Sequence, residues 1–310
     1  MEEKIEIINL LQSKQILEHQ LQALVYGSVE IRENNSNKYI YVHYREDGVA
    51  LTKYVGEYSE ELYNLVLNNS IKAKDLKKQI RYINKKLKQY NYIEEEISEN
   101  VGQNIDFAKR HLVDTIYKQA ILEGIATTFA DTESIIEGGK VNNMSSEDIL
   151  KIVNLKHAWE FILNKNVILS ATNFALLCQI NKMVEEGFYY TAGKIRNVPV
   201  SIGGTTWKPD LPIESVVKEE IDEILNKEIE EVEKAIELLL YIMKKQIFID
   251  GNKRTSVIYA NHYLISKGKG IIVIPAELTE EFKNLLILYY EGKDETVIKT
   301  FIKQRCYMSI

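Results

Sequence analysis

Cysteine, proline and long apolar stretches are all scarce in this chain of 310 residues. The two cysteines, Cys178 and Cys306, lie far apart and outside any CxxC or Cys/His spacing, which excludes a disulfide framework and a zinc knuckle. No run approaches the roughly 18 apolar residues that a membrane helix needs, and the acidic N-terminal segment does not resemble a signal peptide. We therefore expect a soluble, cytoplasmic protein without a membrane partner.

An excess of positive charge is also lacking. The chain has 39 Lys and Arg against 45 Asp and Glu, which gives a formal net charge of -6 at pH 7. This balance removes the strong expectation of nucleic-acid binding that a basic chain would carry, so any such binding has to be local. The four prolines all lie at or after Pro199, and together with long Glu, Lys, Leu and Ile stretches this favours a mainly helical fold.

The first hundred residues contain two helical patterns that flank a β-rich segment. Apolar residues repeat at helical spacing over residues 4–25 and again after Ser59. Between them, three short β-rich runs are separated by polar breaks, and the Asp47-Gly48 break is typical of a tight turn. The sequence therefore predicts an N-terminal module, residues 1–100, in which a helical hairpin accompanies a three-stranded β-meander.

The second N-terminal helix is rich in basic residues. They are Lys72, Lys74, Lys77, Lys78, Arg81, Lys85, Lys86 and Lys88. Beside the tyrosines of the meander they are able to contact nucleic acid, with rings stacking on bases, so a nucleic-acid-associated regulator acting through helix 72–88 is one hypothesis. The module as a whole is not basic, however, and a solvated helix face is the favoured interpretation. Recognition of a target protein or of a second subunit is the expected role, and a homo-oligomer is compatible with it.

From residue 105 to 310 the sequence reads as a series of helices. One helix is predicted from Asp106 to about Phe129 and another after an N-cap at Ser145 or Ser146, with a turn segment over residues 131–143 between them. Val198, Val200 and Ile202 alternate as in a strand. We therefore predict a second domain, residues 105–310, that is mainly α with one short β element.

One loop between two predicted helices carries chemistry. It reads Gln-Ile-Phe-Ile-Asp-Gly-Asn-Lys-Arg over residues 246–254, and we call it the anion loop. Gly251 lets the backbone approach a ligand closely, and the helix that follows directs its free N–H groups and the positive end of its dipole outward, which suits phosphates. Lys253 and Arg254 add two positive charges, and Asp250 is able to hold a Mg²⁺ ion that bridges the same phosphates. The alternative is an ordinary capped helix with solvent-exposed charges.

The anion loop and its surroundings resemble the Fic (Fic/Doc, Fido) family. The family motif is HPFxDGNGRxxR, with GNKR as a frequent variant, and the matching residues are Phe248, Asp250, Gly251, Asn252, Lys253 and Arg254. Residues 193–205, which we call the flap segment, resemble the family's β-hairpin flap. Residues 131–138 resemble the segment that carries its [ST]xxxEG inhibitory motif. The resemblance covers roughly residues 105–303.

This resemblance implies a Fic-fold helical core with a small β-hairpin flap, and a nucleotidyltransferase that moves AMP from ATP to a Ser, Thr or Tyr hydroxyl of a target protein. By position, Asp250 would bind Mg²⁺, and Arg254 would take charge from the leaving group. The nucleotide-binding residues would be Phe248, Gly251, Asn252, Lys253 and Arg254. The flap would dock the target segment by strand addition through Ile195, Arg196, Val200, Ile202, Gly203 and Gly204.

Two positions depart from the motif. Gln246 stands where the family has its general-base His, and Val257 stands where the family has a second Arg. A primary amide does not titrate near neutral pH, so Gln246 can orient a group but cannot accept its proton, and loss of a general base costs about 10²- to 10⁴-fold. His262, about 15 Å along the helix from Asn252, is out of reach. We therefore expect weak or altered AMP transfer, with an inactive pseudoenzyme acting as a nucleotide sensor or interaction partner as the alternative.

The inhibitory motif is also incomplete. Glu137 and Gly138 match its EG, but Glu133 takes the place of its Ser or Thr, and the arginine that would pair with the glutamate is Val257. Two interpretations follow from these residues. Glu137 points at Lys253 or Arg254 and inhibits, or it is a capping or surface carboxylate.

Overall fold

A computed structural model describes residues 2–34, 37–46, 49–90, 92, 97–142 and 144–310. The chain divides into two compact units, Met1–Ile93 and Glu94–Ile310, whereas the sequence predicted a boundary near residue 100. The described residues form thirteen α-helices and only short antiparallel sheets, so the prediction of a mainly helical fold is confirmed. None of the described helices has the length and hydropathy required to span a bilayer. The predicted Asp47-Gly48 turn lies outside the described residues.

The N-terminal unit, Met1–Ile93, is a helical hairpin. The segment that connects its two helices forms a three-stranded sheet. Its elements are α1 (Glu2–Gln22), β1 (Ser28–Asn34), β2 (Asn37–Glu46), β3 (Val49–Glu57) and α2 (Glu60–Gln89). The strands pair antiparallel in the order β1-β2-β3, as the meander prediction required. Helices α1 and α2 pack antiparallel, with Lys86 beside Glu6 near one end and Gly27 hydrogen-bonded to Ser70 near the other.

Helix α2 has an apolar face and a basic face because of its residue spacing. Ser59 caps its start by accepting from the Leu62 N–H, and its core side bears Val66, Ala73, Leu76, Ile83 and Leu87. Five basic residues repeat at steps of four and three on the opposite side, where each is exposed. These residues, which we call the cationic stripe, are Lys74, Lys78, Arg81, Lys85 and Lys88. None of them forms an ion pair with another described residue.

The C-terminal unit, Glu94–Ile310, contains the remaining helices and one small sheet. They are α3 (Glu99–Arg110), α4 (Leu112–Leu122), α5 (Phe129–Ile136), α6 (Ser146–Ile162), α7 (Lys165–Ile168), α8 (Phe174–Val184), α9 (Glu214–Asn226), α10 (Glu231–Lys245), α11 (Asn252–Ser266), β4 (Ile271–Ile272), α12 (Thr279–Tyr290), α13 (Glu295–Arg305) and β5 (Tyr307–Met308). Strands β4 and β5 pair antiparallel.

Helix α11 is the centre of the C-terminal unit. It packs against α10, α8, α6 and α3, and nearly all of its side chains are buried. Two of its buried polar side chains are fully hydrogen-bonded: the Asn261 amide bonds the backbone of Val257 and Ile272, and the His262 ring bonds Thr172 and the Val167 carbonyl. Burial lowers the pKa of His262 to about 4, so this histidine is neutral and structural. Because α11 is fixed on all sides, its N-terminus is a rigid platform.

Two predicted boundaries in this unit were wrong. Instead of one helix over residues 106–129, α3 and α4 meet at His111, and α4 ends before Gly124, which has φ +83°. The predicted turn over residues 131–143 is largely helical at its start, because Thr128 caps α5 by accepting from the Asp131 N–H. Ser145 caps α6 as predicted.

The flap segment forms no strand, contrary to the β-hairpin expected there. The physical reason lies in its hydrogen-bonding groups. Arg196, which is buried, donates from its guanidinium to the Val198 carbonyl oxygen within the segment and to the Pro209 and Asp210 carbonyl oxygens that follow it, so the backbone wraps around this side chain and not along a partner strand. Proline at residues 199, 209 and 212 further removes backbone donors.

Candidate functional site

The anion loop connects α10 to α11 through two left-handed residues. Gln246 ends α10 at φ 48° and ψ 61°, and among the described residues it is the only non-glycine with positive φ. Gly251 precedes α11 at φ 72°. Since non-glycine residues rarely adopt this conformation, the backbone at Gln246 is under constraint, and such positions cluster at functional sites.

Asn252 holds the loop in shape from inside. Its side-chain oxygen accepts from the Phe248 N–H at 3.0 Å, and its side-chain nitrogen donates to the Phe248 carbonyl at 2.8 Å and to the Gln246 side-chain oxygen at 3.1 Å. Phe248 is buried in the core and anchors the middle of the loop. Asn252 therefore acts as an internal brace, in addition to its predicted place in the nucleotide site.

The N-terminus of α11 leaves backbone donors without an intrahelical partner. Its N-cap is Gly251, and no side chain in the described part of the chain caps the helix. The Thr255 N–H makes the first i to i−4 hydrogen bond of the helix, to the Gly251 carbonyl at 2.8 Å. The N–H groups of residues 252–254 come before it and have no such acceptor within the helix. These donors and the helix dipole suit an anion.

Arg254 is buried within a cluster of carboxylates. Its side chain is 2% exposed, with Nη2 at 2.7 Å from Glu185 Oε1 and Nε at 3.4 Å from Glu123 Oε2. Asp250 Oδ1 lies at 3.7 Å and also accepts from the Gly251 N–H. Burial raises the pKa of Glu185 to about 7, and Asp250 and Glu123 add to this while Arg254 opposes it. The guanidinium is therefore fixed in place at the base of the loop.

Supporting contacts come from α4 and α8. The Gln119 side-chain nitrogen donates to the Arg254 carbonyl, and its oxygen accepts from the Trp159 ring N–H, which joins α4, α6 and α11. The Asn181 amide donates to the Asp250 carbonyl and to the Thr255 hydroxyl, and its oxygen accepts from the Gly193 N–H. The anion loop and the start of the flap segment are thereby tied to the same core helix.

A cavity of about 380 Å³ lies in front of the anion loop. The loop contributes Gln246, Asp250, Asn252 and Lys253, and the end of α4 contributes Glu123. The opposite wall consists of Ser201, Ile202 and Gly203 from the flap segment and Lys283, Leu286, Ile287 and Tyr290 from α12. The cavity thus combines two lysines, a helix N-terminus and an apolar wall.

The flap segment is clamped over this cavity. Arg196 donates from Nε to the Gln246 carbonyl, and its backbone N–H donates to the Ile247 carbonyl at 3.0 Å. At the other end the Thr205 hydroxyl bonds Glu291, and Trp207 stacks on Tyr290 with ring centroids 5.6 Å apart. Arg196 is 2% exposed, so its side chain holds the flap segment to the anion loop and does not face a target.

The predicted site residues therefore fall into two groups. The loop residues and the flap residues Ile202 and Gly203 meet at one cavity, and Gly204, at φ 86°, packs against Ile287 of α12. Ile195 and Val200, two further residues of the flap segment, are half-buried. Glu137 and Gly138, in contrast, are exposed at the end of α5, and the ion pairs of Lys253 and Arg254 among the described residues go to Glu123, Glu185 and Asp250.

Five residues of the site are not predicted by any pattern in the sequence, namely Gln119, Glu123, Asn181, Glu185 and Lys283. Glu123 is the most informative, because its carboxylate lies 3.6 Å from Lys253 Nζ and borders the cavity. These residues lie on or directly after three helices, α4, α8 and α12, and carry no local motif. Only the tertiary structure brings these three helices to the anion loop.

A family model for the Fic/DOC family matches residues 171–264, which include α8, the flap segment, the anion loop and most of α11. This chain contains a Fic domain. The Fic match agrees with the predicted resemblance, and members of the family commonly transfer AMP to proteins. No curated protein matches the chain in sequence.

Solved Fic-domain structures share the fold. Fic-1 from C. elegans aligns with a TM-score of 0.53 and 18% identity over 79% of this chain and 73% of that chain. A Fic domain containing signaling protein from Bacteroides thetaiotaomicron aligns with a TM-score of 0.50 and 18% identity over 62% of this chain and 76% of that one. A Fic family protein from Desulfovibrio desulfuricans gives a TM-score of 0.51 and 13% identity over 67% and 72%. At these identities the likeness concerns the Fic fold.

Proposed function

We propose that the Fic domain of this chain binds a nucleotide as its Mg²⁺ complex, with ATP as the expected substrate, and transfers AMP slowly to a protein hydroxyl. The observation that carries the proposal is the cavity in which Lys253 and the free N–H groups of α11 stand beside Gln246. The anion loop supplies binding and orientation, because its donors are already in place before a ligand arrives. Gln246 supplies no general base.

The residues present fit a Mg²⁺ ion that arrives with phosphates. Asp250 is half-exposed at the cavity edge, and one of its carboxylate oxygens is used by the Gly251 N–H. Among the described residues, no three or more His, Cys, Asp or Glu side chains are arranged so that they could hold a metal ion by themselves. Mg²⁺ in nucleotide sites is usually held by one or two carboxylates together with substrate phosphates and water, which is what Asp250 offers. When bound, the ion would neutralise phosphate charge.

Gln246 is engaged at both ends of its amide. Its nitrogen donates to the Met243 carbonyl at 2.6 Å, and its oxygen accepts from Asn252 at 3.1 Å. The side chain therefore stabilises the loop and leaves little capacity to act on an incoming hydroxyl. This observation favours a second candidate function, that of a pseudoenzyme in which the Fic fold senses a nucleotide or binds a partner without transfer.

The substitution Gln246→His separates the two candidates. The left-handed backbone at residue 246 is one that His adopts more readily than most side chains, so the variant should fold. Incubation with labelled ATP, Mg²⁺ and a protein extract should then label protein about 10²- to 10⁴-fold faster than wild type. Gln246→Asn is the matched control, since it also tolerates this backbone but restores no base, and it should not exceed wild type.

Three outcomes have distinct meanings. Equal transfer by wild type and Gln246→His would show that a missing base does not limit the reaction. Nucleotide binding by both proteins with transfer by neither would support the pseudoenzyme. Binding itself is measured by thermal shift with ATP, CTP, GTP and UTP, since a ligand at 100 times its Kd stabilises the folded state by about 2.7 kcal/mol. If no nucleotide binds with Mg²⁺ at millimolar concentration, the proposed function is wrong.

A further inference from the structure

Helix α12 brings a cation into the nucleotide cavity that the Fic motif does not contain. Lys283 borders the cavity together with Lys253, is partly buried, and forms no ion pair with another described residue. Burial lowers its pKa, the neighbouring charge of Lys253 lowers it further, and Glu123 opposes both effects. Two lysines that repel each other in a partly desolvated cavity are stabilised when an anion lies between them.

The other cations of the site are already committed. Arg254 is buried between Glu185 and Glu123, and Lys253 lies 3.6 Å from Glu123. Val257, which stands where the motif has its second arginine, is 2% exposed and packs beside Leu122 and Val273. No charge from that position reaches the ligand. Lys283 is therefore the cation of the cavity that remains without a carboxylate partner in the described part of the chain.

The rest of the α12 face suits an organic ligand that carries phosphates. Lys283, Leu286, Ile287 and Tyr290 are spaced at i, i+3, i+4 and i+7, so they lie on one side of the helix, and all four border the cavity. A cation thus stands at one end of an apolar strip. Trp207 supports the far end by stacking on Tyr290. A ligand held at the N-terminus of α11 by one phosphate has Lys283 available for a second.

We propose that Lys283 binds the second phosphate of the ligand and that the site therefore selects compounds with at least two linked phosphates, such as nucleoside di- and triphosphates, over monophosphates. This inference rests on the proposed function, since it concerns the same cavity. It assigns to α12 the phosphate contact that Val257 cannot make. Lys283 is a specificity-determining residue in this scheme.

Affinities of Lys283→Gln for ATP, ADP, AMP and pyrophosphate, each measured with Mg²⁺ by calorimetry, test the proposal. The change should weaken ATP, ADP and pyrophosphate by about 10-fold or more, the usual effect of losing a hydrogen bond to a charged group, and leave AMP within about 2-fold of wild type. Lys283→Arg should restore most of the loss. Lys293→Gln removes an exposed lysine beyond the end of α12 and is the matched control, with no change expected.

The pattern across ligands decides the result. Unchanged affinity of Lys283→Gln for pyrophosphate and ADP, or an equal loss for AMP and ADP, would overturn the inference while the proposed nucleotide site stands. If wild type binds none of the four ligands, the proposed function fails and the inference falls with it. Tryptophan fluorescence checks the folding of each variant, because both tryptophans, Trp159 and Trp207, lie in the C-terminal unit.

Discussion

The cationic stripe on α2 and the cations of the anion loop carry the same charge but differ in exposure and in their pairing with carboxylates. The stripe has five basic residues at regular spacing, all exposed and none paired with another described residue. The anion loop has fewer cations, yet Arg254 is buried, Lys253 is partly buried, and both lie within 4 Å of a carboxylate. A count of charges along the chain therefore does not single out the anion loop. Burial and fixed orientation distinguish the site.

The physical reason is the surrounding medium. An exposed ammonium group is already hydrated, and its interactions are screened by water and salt, so a row of them is worth little until a highly charged partner arrives. A buried or half-buried cation interacts through a lower dielectric and must be held by carboxylates, backbone dipoles or a ligand. The residues around Arg254 do this before any ligand binds.

The sharpest test of the rigid site is Gly251→Ala compared with Gly292→Ala. Both glycines have positive φ, 72° and 76°, but a Cβ at 251 would collide with the buried Glu185 side chain, whereas nothing lies within 4 Å of one at 292. We expect a loss in free energy of unfolding of about 1–2 kcal/mol at 292 from backbone strain, and about 2–5 kcal/mol at 251, where overpacking is added. Urea unfolding followed by tryptophan fluorescence measures both. Equal losses would mean that Glu185 moves aside freely.

The second test concerns the pH dependence of stability caused by Glu185. Its pKa is raised by burial from 4.5 to about 7, so in the folded state it keeps its proton between these values while the unfolded chain releases it. The contribution of Glu185 to the free energy of unfolding is complete below pH 4.5 and is lost as pH rises through 7. The total loss is about 3 kcal/mol. The difference in unfolding free energy between wild type and Glu185→Gln should fall accordingly from about pH 5 to about pH 8.

Comparing wild type with Glu185→Gln is necessary because His262 has the opposite effect. Its pKa is lowered from 6.5 to about 4, so its contribution to stability grows as pH rises through that range. The two trends partly cancel in wild type, but His262 is common to both proteins and drops out of the difference. A difference that stays constant from about pH 5 to about pH 8 would show that Glu185 ionises normally beside Arg254.

The smallest effects are expected on α2. Replacing Lys78, Arg81 and Lys85 together by glutamine should leave ATP affinity at the wild-type value and change stability by no more than about 0.5 kcal/mol per site. The triple variant and wild type should both fail to bind DNA or RNA at low salt. Salt-sensitive nucleic-acid binding by wild type that the variant loses would contradict this and support the regulator hypothesis.

Several features could be predicted from the sequence because they depend on neighbouring residues. The apolar spacing of α2 and the β-rich runs of the meander express periods of 3.6 and 2 in the chain itself. The anion loop is contiguous, so its residue order alone assigns Asp250, Gly251 and Lys253 to one helix N-terminus. The missing base at Gln246 is visible for the same reason.

The flap segment shows where local patterns mislead. The alternation of Val198, Val200 and Ile202 indicated a strand, but the Arg196 guanidinium binds the Val198 carbonyl at the start of this run and two carbonyls after its end. Which carbonyl groups a long, buried cationic side chain binds depends on how the backbone folds around it. Sequence spacing contains no information about that arrangement.

By itself, the sequence determined the helical character of the chain, the meander, the Fic motif and the absence of a histidine from the anion loop. Only the tertiary structure decided which carboxylates hold Arg254 and which cation faces Lys253. Glu123 and Glu185 follow the last turns of α4 and α8, and Lys283 lies on α12, so all three are remote from the loop in the chain. Local conformation follows from residues three or four apart, whereas the charge balance of a cavity follows from the packing of whole helices.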